Sequence, residues 1–203
     1  MKNGTYWTDD KLYDLWVNIG VELMGGIITS ILFLLILKAL RPKIQISPKI
    51  AYEDITDENG NPKRNYTLKF YNKDRFFKCE NVRIQLIVCR TFTAPGGKNL
   101  EVKQVKIKGS EVWSMEPFWN TKKKKKKGND QNAMFAKLVL VDEDLDALWK
   151  EDHVFLTLKV SAKNSFSGFS KIFSEDYNHK ASTVQKGVFR FGSSFDIVKP
   201  DSD

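Results

Sequence analysis

Residues 19–52 read IGVELMGGIITSILFLLILKALRPKIQISPKIAY, and two periodicities meet inside them. From Ile19 to Leu40 the run is apolar, with only Glu22 and Lys38 charged, one near each end. A helix of this length reaches about 33 Å, enough for a hydrocarbon layer of about 30 Å. After Pro42, Ile44 and Ile46 and then Ile50 and Tyr52 alternate with polar residues, which is the period of a strand. The stretch therefore predicts a transmembrane helix over 19–40 that hands over directly to a sheet protein.

The flanks give the span a direction. Tyr13 and Trp16 precede it, where interfacial aromatics sit. The chain start is acidic, and the run ends Lys38-Ala39-Leu40-Arg41-Pro42. A signal peptide needs a basic start, a shorter apolar run and a small-residue cleavage site, so an uncleaved single span is expected. Lys38, Arg41, Lys43 and Lys49 follow with no acid among residues 38–49. By the positive-inside rule, residues 1–18 then lie outside, 41–49 form a basic juxtamembrane linker, and the rest is cytoplasmic beneath the plasma (inner) membrane.

One face of the helix is not plain lipid-facing filler. Asn18, Glu22, Gly25 or Gly26, and Thr29 or Ser30 fall at helical spacing along one stripe. Small and polar residues in such a stripe let helices approach and hydrogen-bond, so these six are the candidate helix-association residues. An acid inside a span is a functional candidate in its own right; the alternative is that Glu22, one turn from the outer edge, sits among head groups.

The formal charge of the 203-residue chain is +8, from 33 basic and 25 acidic residues. Its distribution excludes the obvious reading. Residues 1–22 carry −2, residues 38–49 carry +4, and residues 50–203 carry +6. That last excess equals the run Lys122, Lys123, Lys124, Lys125, Lys126 and Lys127. Without the run the large domain is neutral, so there is no broad basic face to meet phosphates and no specific nucleic-acid partner is expected. The run reads either as a solvated loop or as an attractor for anionic lipid head groups, worth about 1 kcal/mol per lysine near a surface. With Lys38, Arg41, Lys43 and Lys49, these are the candidate lipid contacts, and the bilayer is the expected partner.

The rest of the chain reads as sheet. Leu68 and Phe70 alternate; Val82, Ile84, Leu86 and Val88 share one face; Ala94-Pro95-Gly96-Gly97 breaks the strand; Val102, Val105 and Ile107 resume. Phe135–Val141, Val154–Val160, Phe169–Phe173 and Val188–Val198 supply more strands. About eight short strands separated by turn residues, Asp57–Pro62 among them, suggest a β-sandwich over residues 43–198 with a tail at 199–203. One helix is expected there, Asp142–Lys150, with acids crowding its N-terminus. Cys79 and Cys89 lie about ten extended residues apart, too far for a disulfide, so free thiols in a reducing compartment are expected.

Chemistry is sparse. His153 and His179 have no ligand partners at metal spacing, so no metal site and no cofactor are expected. No Gly-x-Ser-x-Gly elbow or phosphate-binding Gly-Lys loop occurs. The acids at 142–146 lack the glycine and terminal glutamate of a calcium loop. With no catalytic constellation, the chain reads as a non-enzyme.

The order of local motifs resembles the cytoplasmic immunoglobulin-like domain of inward-rectifier potassium channels. The matching pieces are Ile46-Ser47 with Ile50-Ala51, Leu68-x-Phe70-x-Asn72, and Val82-Arg83-Ile84-Gln85-Leu86. Ala133–Val141 followed by the acidic Asp142–Trp149, then Val154–Val160 and Phe166–Tyr177, continue the order. Phe191-Gly192-Ser193-Ser194-Phe195 closes it. The resemblance covers about residues 43–198 and implies an immunoglobulin-like sandwich, a homo-oligomer, and lipid control through basic residues after the last helix. The chain departs from the family in having one span and no selectivity filter, so potassium conduction by this polypeptide alone is not implied. Three readings follow: an oligomeric sensor, accessory or interaction subunit; a small effector whose helices associate into a pore or disrupt the membrane; or a membrane-tethered lipid- or nucleotide-binding module.

Overall fold

The computed structural model describes residues 9–56, 60, 62–118, 135–150 and 153–199. It divides into two units, Met1–Leu40 and Arg41–Asp203.

In the first unit, α1 runs over Asp9–Ala39. It starts about ten residues before the expected span. Nothing between residues 9 and 19 breaks a helix, and acids at positions 9 and 10 suit the positive end of the helix dipole. It ends where Leu40 N donates to Ile36 O at 3.0 Å, two residues before Pro42, which has no N–H to continue the ladder. Tyr13–Ala39 is long and apolar enough to cross a membrane.

The second unit is mainly β and is a two-sheet sandwich. Its strands are β1 (Ile44–Ile46), β2 (Ile50–Thr56), β3 (Pro62–Asn72), β4 (Cys79–Ala94), β5 (Gly97–Val105), β6 (Ile107–Lys108) and β7 (Glu111–Met115). Then come β8 (Ala136–Val141), β9 (Val154–Asn164), β10 (Ser170–Tyr177), β11 (Val184–Lys186), β12 (Val188–Phe189) and β13 (Ile197–Val198). One sheet orders β11-β2-β3-β8-β6, with β1 also on β3; the other orders β10-β9-β4-β5, with β7 also on β4. All pairs are antiparallel except β11 on β2, where Val184 faces Ile50.

Alternation decides the faces. Ile44, Ile50, Leu68, Phe70 and Val139 of the first sheet meet Val82, Ile84, Leu86, Leu156, Leu158 and Val160 of the second in one buried core. Tyr177 is buried in it, and its hydroxyl donates to Ser47 O at 2.8 Å. That bond fixes the corner where β1 leaves β3 and the chain re-enters as β2.

Several elements escape the sequence pattern for identifiable reasons. The strand expected through Ile107 ends at Val105, because the chain crosses between sheets at Lys106 and pairs Ile107 with Val141. β7 is invisible to a period-2 search, since its inward residues Val112 and Met115 lie three apart, opposite an irregularity in β4 between Glu80 and Arg83. The helix expected over 142–150 shrinks to one turn at Leu145–Leu148, because Asp144 caps it and accepts from Asp146 N and Ala147 N. A second single turn, Lys180–Thr183, precedes β11. Of the Asp57–Pro62 turn only Gly60 and Pro62 are described; Thr56 pairs with Pro62 across the hairpin.

The outer face of the first sheet is covered as well. The β12–β13 hairpin and its connection fold over β3. The Lys69 side chain, which points out of the sandwich core, is thereby buried. Its ammonium donates to Arg190 O and to Ser194 O, the latter at 2.7 Å, and lies 5.8 Å from the Phe189 ring centroid. Burial pulls its pKa below the ordinary lysine value, partly opposed by Asp196.

Candidate functional site

On α1 the candidate residues Asn18, Glu22, Gly25, Gly26, Thr29 and Ser30 are all exposed. At helical spacing, Asn18, Glu22, Gly25 and Thr29 share one narrow stripe, with Gly26 and Ser30 beside it. Nothing lies within 4 Å of where a Cβ would sit on Gly25 or Gly26, so each glycine leaves an open notch. Thr29 Oγ1 donates to Gly25 O at 2.8 Å and Ser30 Oγ to Gly26 O at 2.7 Å. These i to i−4 bonds satisfy both hydroxyl protons and leave oxygen lone pairs to accept from a second helix. The geometry gives two adjacent small-x-x-x-small pairs, Gly25/Thr29 and Gly26/Ser30. The uncharged stretch Leu23–Leu37 spans only about 22 Å of helix, so Glu22 and Lys38 both stand within the reach of a hydrocarbon layer of about 30 Å. Lysine can snorkel to an interface; a carboxylate on a shorter stem does so less readily.

The basic residues after the helix are divided between the two units. Lys38 is exposed on α1. In the second unit Arg41 and Lys43 are exposed at the entry to β1, and Lys49 is half-buried beyond the Ser47 corner. Ser47 Oγ sits 3.0 Å from Lys49 O and 3.1 Å from Lys49 N, which tightens that turn. The run Lys122–Lys127 lies outside the described residues. What is described is where the chain departs and returns: Phe118 and Phe135 meet edge-on with centroids 5.5 Å apart, and both pack against Tyr71, Phe118 tilted at 6.5 Å and Phe135 edge-on at 6.3 Å. The lysine-bearing segment is therefore pinched at its base by three aromatic rings.

Beneath that base lies a polar node that sequence reasoning passed over. Asn72 is fully buried; its Nδ2 donates to Phe77 O at 3.0 Å and Glu116 O at 3.2 Å, and its Oδ1 accepts from Asp74 N at 2.9 Å. Asp74 is 3% exposed, and its Oδ1 accepts from Phe76 N and Phe77 N. Backbone bonds tie the node to both ends of the segment, Asn72 N to Phe135 O and Phe118 N to Asp74 O, each at 2.8 Å. Cys79 lies close by; burial, with the Asp74 charge adding, pushes its thiol up to about 12. Cys89 is also buried and free, and burial raises its thiol as well. The signal for the node was present as the asparagine ending one strand, but a polar side chain's burial cannot be read from alternation.

A second feature is a cavity of about 260 Å³ at the end of the sandwich between β4, β5 and the Leu145–Leu148 turn. Val88, Ala147, Leu148 and Val154 line its apolar part, and Arg90, Lys103 and Lys150 its polar part with Glu101. A shallower cleft of about 840 Å³ shares Arg90 and Glu101 and includes His153. Lys103 Nζ lies 3.7 Å from Glu143 Oε2 while remaining 60% exposed. Among the described residues no group of three or more His, Cys, Asp or Glu side chains could hold a metal ion.

On the far side of the first sheet, alternating charges bind its edge strands. Lys186, Asp54, Arg64, Asp146 and Lys180 form a chain of ion pairs, with Arg64–Asp146 at 3.0 Å and Lys180–Asp146 at 2.6 Å. Desolvation works against the Asp146 carboxylate, but hydrogen bonds from Lys180, Tyr66 and Arg64 prevail and hold its pKa at about 2. The chain joins β11, β2 and β3 to both helical turns and has the character of a structural lacing.

No family model matches this chain. No curated protein matches it either. Among solved structures it is similar to the X-ray structure of Northeast Structural Genomics Consortium target SoR45, at 11% identity. That match covers 69% of this chain and 88% of the other, with a TM-score of 0.27.

Proposed function

We propose that the chain is a single-pass membrane protein of the plasma (inner) membrane, with its N-terminus outside and its sandwich in the cytoplasm. It works by assembly, as an oligomeric sensor, accessory or interaction subunit. The observation that carries this reading is α1 itself: an apolar helix exposed along its length, with two adjacent glycine notches beside hydroxyls that can still accept. The cations at 38–49 support the orientation. The resemblance to a channel's cytoplasmic domain supports the role of subunit rather than catalyst.

The test is direct. Filling the notches with Gly25→Leu and Gly26→Leu is expected to shift the protein in native-membrane nanodiscs from oligomer to monomer by light scattering. Trypsin added to sealed right-side-out vesicles is expected to leave the sandwich intact. A size unchanged by the leucines, or a sandwich digested from outside, overturns the corresponding half.

One observation favours a second reading, a ligand-binding module: the cavity with an apolar floor beneath Arg90, Lys103 and Lys150. An anion with an apolar body, such as an inositol phosphate lipid or a nucleotide, suits that chemistry. Saturating ligand at 100 times its Kd is expected to stabilise the fold by about 2.7 kcal/mol. A flat thermal-shift profile across inositol phosphates, short-chain phosphatidylinositol phosphates and nucleotides removes this reading.

A further inference from the structure

Among the described residues, β5 is a nine-residue strand at the edge of its sheet, paired on one side with β4. From Gly97 to Gln104 every residue is exposed; only Val105 is buried. At the opposite edge of the same sheet, β10 packs against β1. A long open edge is a template for another strand, and proteins usually blunt it with a proline, a bulge or inward charges. β5 has no proline, and its register with β4 runs without interruption from Val105 to Gly97. It does carry inward charges, Glu101 and Lys103 on the face of Val105, but they are of opposite sign, so they repel an ordinary strand and can pair across a second copy of this one. Its outward-facing side chains Leu100 and Val102 are 52% and 57% exposed.

The alternation from the two-residue turn fixes which backbone groups are free. Ala94 and Gly97 close the hairpin, so Leu100, Val102 and Gln104 direct their N–H and C=O groups away from β4. An added antiparallel strand must engage those groups. If that strand is β5 of a second copy, only registers centred on one residue keep side chains on matching faces. Centring on Glu101 sets two carboxylates directly opposite, and centring on Lys103 sets two ammonium groups opposite; both are unfavourable. Centring on Val102 places Glu101 of each copy across from Lys103 of the other. It also stacks Val102 on Val102 and lets Leu100 and Gln104 exchange backbone bonds. Lys103 already lies near Glu143 at 3.7 Å, a loose pair that an opposed Glu101 can replace.

We propose that β5 is a docking edge for a second copy of this chain, pairing antiparallel about Val102 with two reciprocal Glu101–Lys103 contacts, so that the two sheets become one. This deepens the association reading above and rests on it, adding a cytoplasmic contact to the one between helices.

The test is disulfide mapping in the full chain in nanodiscs. Cys89 faces Val102 within the chain, so the background is Cys89→Ser. Paired Cα atoms about 5.5 Å apart at a hydrogen-bonded site accept a disulfide. Val102→Cys is therefore expected to yield at least tenfold more covalent dimer under mild oxidation than Leu100→Cys, whose copies would lie about 13 Å apart. Glu101→Lys or Lys103→Glu alone is expected to cut Val102→Cys dimer about tenfold, and the two together to restore it. Equal crosslinking at positions 100 and 102, including none at both, overturns the proposal, as does a double swap that fails to rescue. Light scattering separates the two contacts. An oligomer that persists without Val102→Cys crosslinking leaves helix association standing and the strand contact refuted. Crosslinking in a chain indifferent to Gly25→Leu and Gly26→Leu does the reverse.

Discussion

Gly187→Ala is expected to lower the melting temperature of the sandwich by about 10 °C, the largest effect of such a change among the described glycines. Gly187 joins β11 to β12 with φ +134°, a backbone conformation that L side chains rarely adopt. A Cβ there would lie 2.2 Å from Val198 O and 2.9 Å from Val198 C, which are backbone atoms of β13 and cannot rotate aside. The segment cannot simply move out, since Gly187 N donates to Tyr52 O at 2.9 Å and Arg190 N to Asp196 O at 2.9 Å. Strained φ costs about 1–3 kcal/mol and overpacking a similar amount, together about 4 kcal/mol. For a unit of this size each kcal/mol moves the melting temperature by about 2–4 °C. Gly192→Ala is the internal control. Gly192 also has positive φ, +88°, but nothing lies within 4 Å of its Cβ position, so it should cost only about 1 kcal/mol. Circular dichroism melts of the two variants in parallel decide the matter; equal shifts would mean that Val198 is not the obstacle.

Asn72→Leu is expected to cost about 3–4 kcal/mol despite its similar size. The substitution strands Phe77 O and Glu116 O and removes the acceptor for Asp74 N, all at the buried node. Each buried group left without a partner costs about 1–3 kcal/mol, and the three share one environment, so the losses do not simply add. The damage should also be local in a recognisable way. Asn72 and Asp74 hold the two ends of the lysine-bearing segment through Phe135 O and Phe118 N. Hydrogen exchange is therefore expected to speed at residues 72–77 and 115–118 before the β4–β9 pairing opens. Uniform acceleration across both sheets would show instead that the node stabilises the sandwich as a whole.

How much was legible beforehand follows from the kind of signal each element leaves. The strands carrying Val82–Val88 and Val154–Val160 were readable because one face is buried between sheets, which imposes strict alternation. The long apolar helix was readable because Leu23–Leu37 carries no charge and no helix breaker, a pattern that its own residues set. β7 and β11 were not. The first has its inward residues out of phase, and the second is three residues held in place by parallel pairing with β2. Lys69 falls between Leu68 and Phe70, on the face of β3 turned away from the sandwich core. Only the return of the chain near Arg190 and Ser194, more than a hundred residues later, buries it. The stripe of small and polar residues on α1 was legible as spacing, but not that the Thr29 and Ser30 protons are already spent within the helix.

Residue order alone determined the division into an apolar helix and a mainly β unit, the faces of the long strands, and the location of the excess charge. These depend on composition and on local period, which each segment carries by itself. Tertiary structure alone decided which strands form edges, which polar side chains are buried, and where the ends of the lysine segment meet. Those properties depend on what a distant part of the chain covers. Among the described residues β5 stands at an edge because β6 and β7, which follow it, pair with β8 and β4 instead, and nothing within its nine residues foretells that.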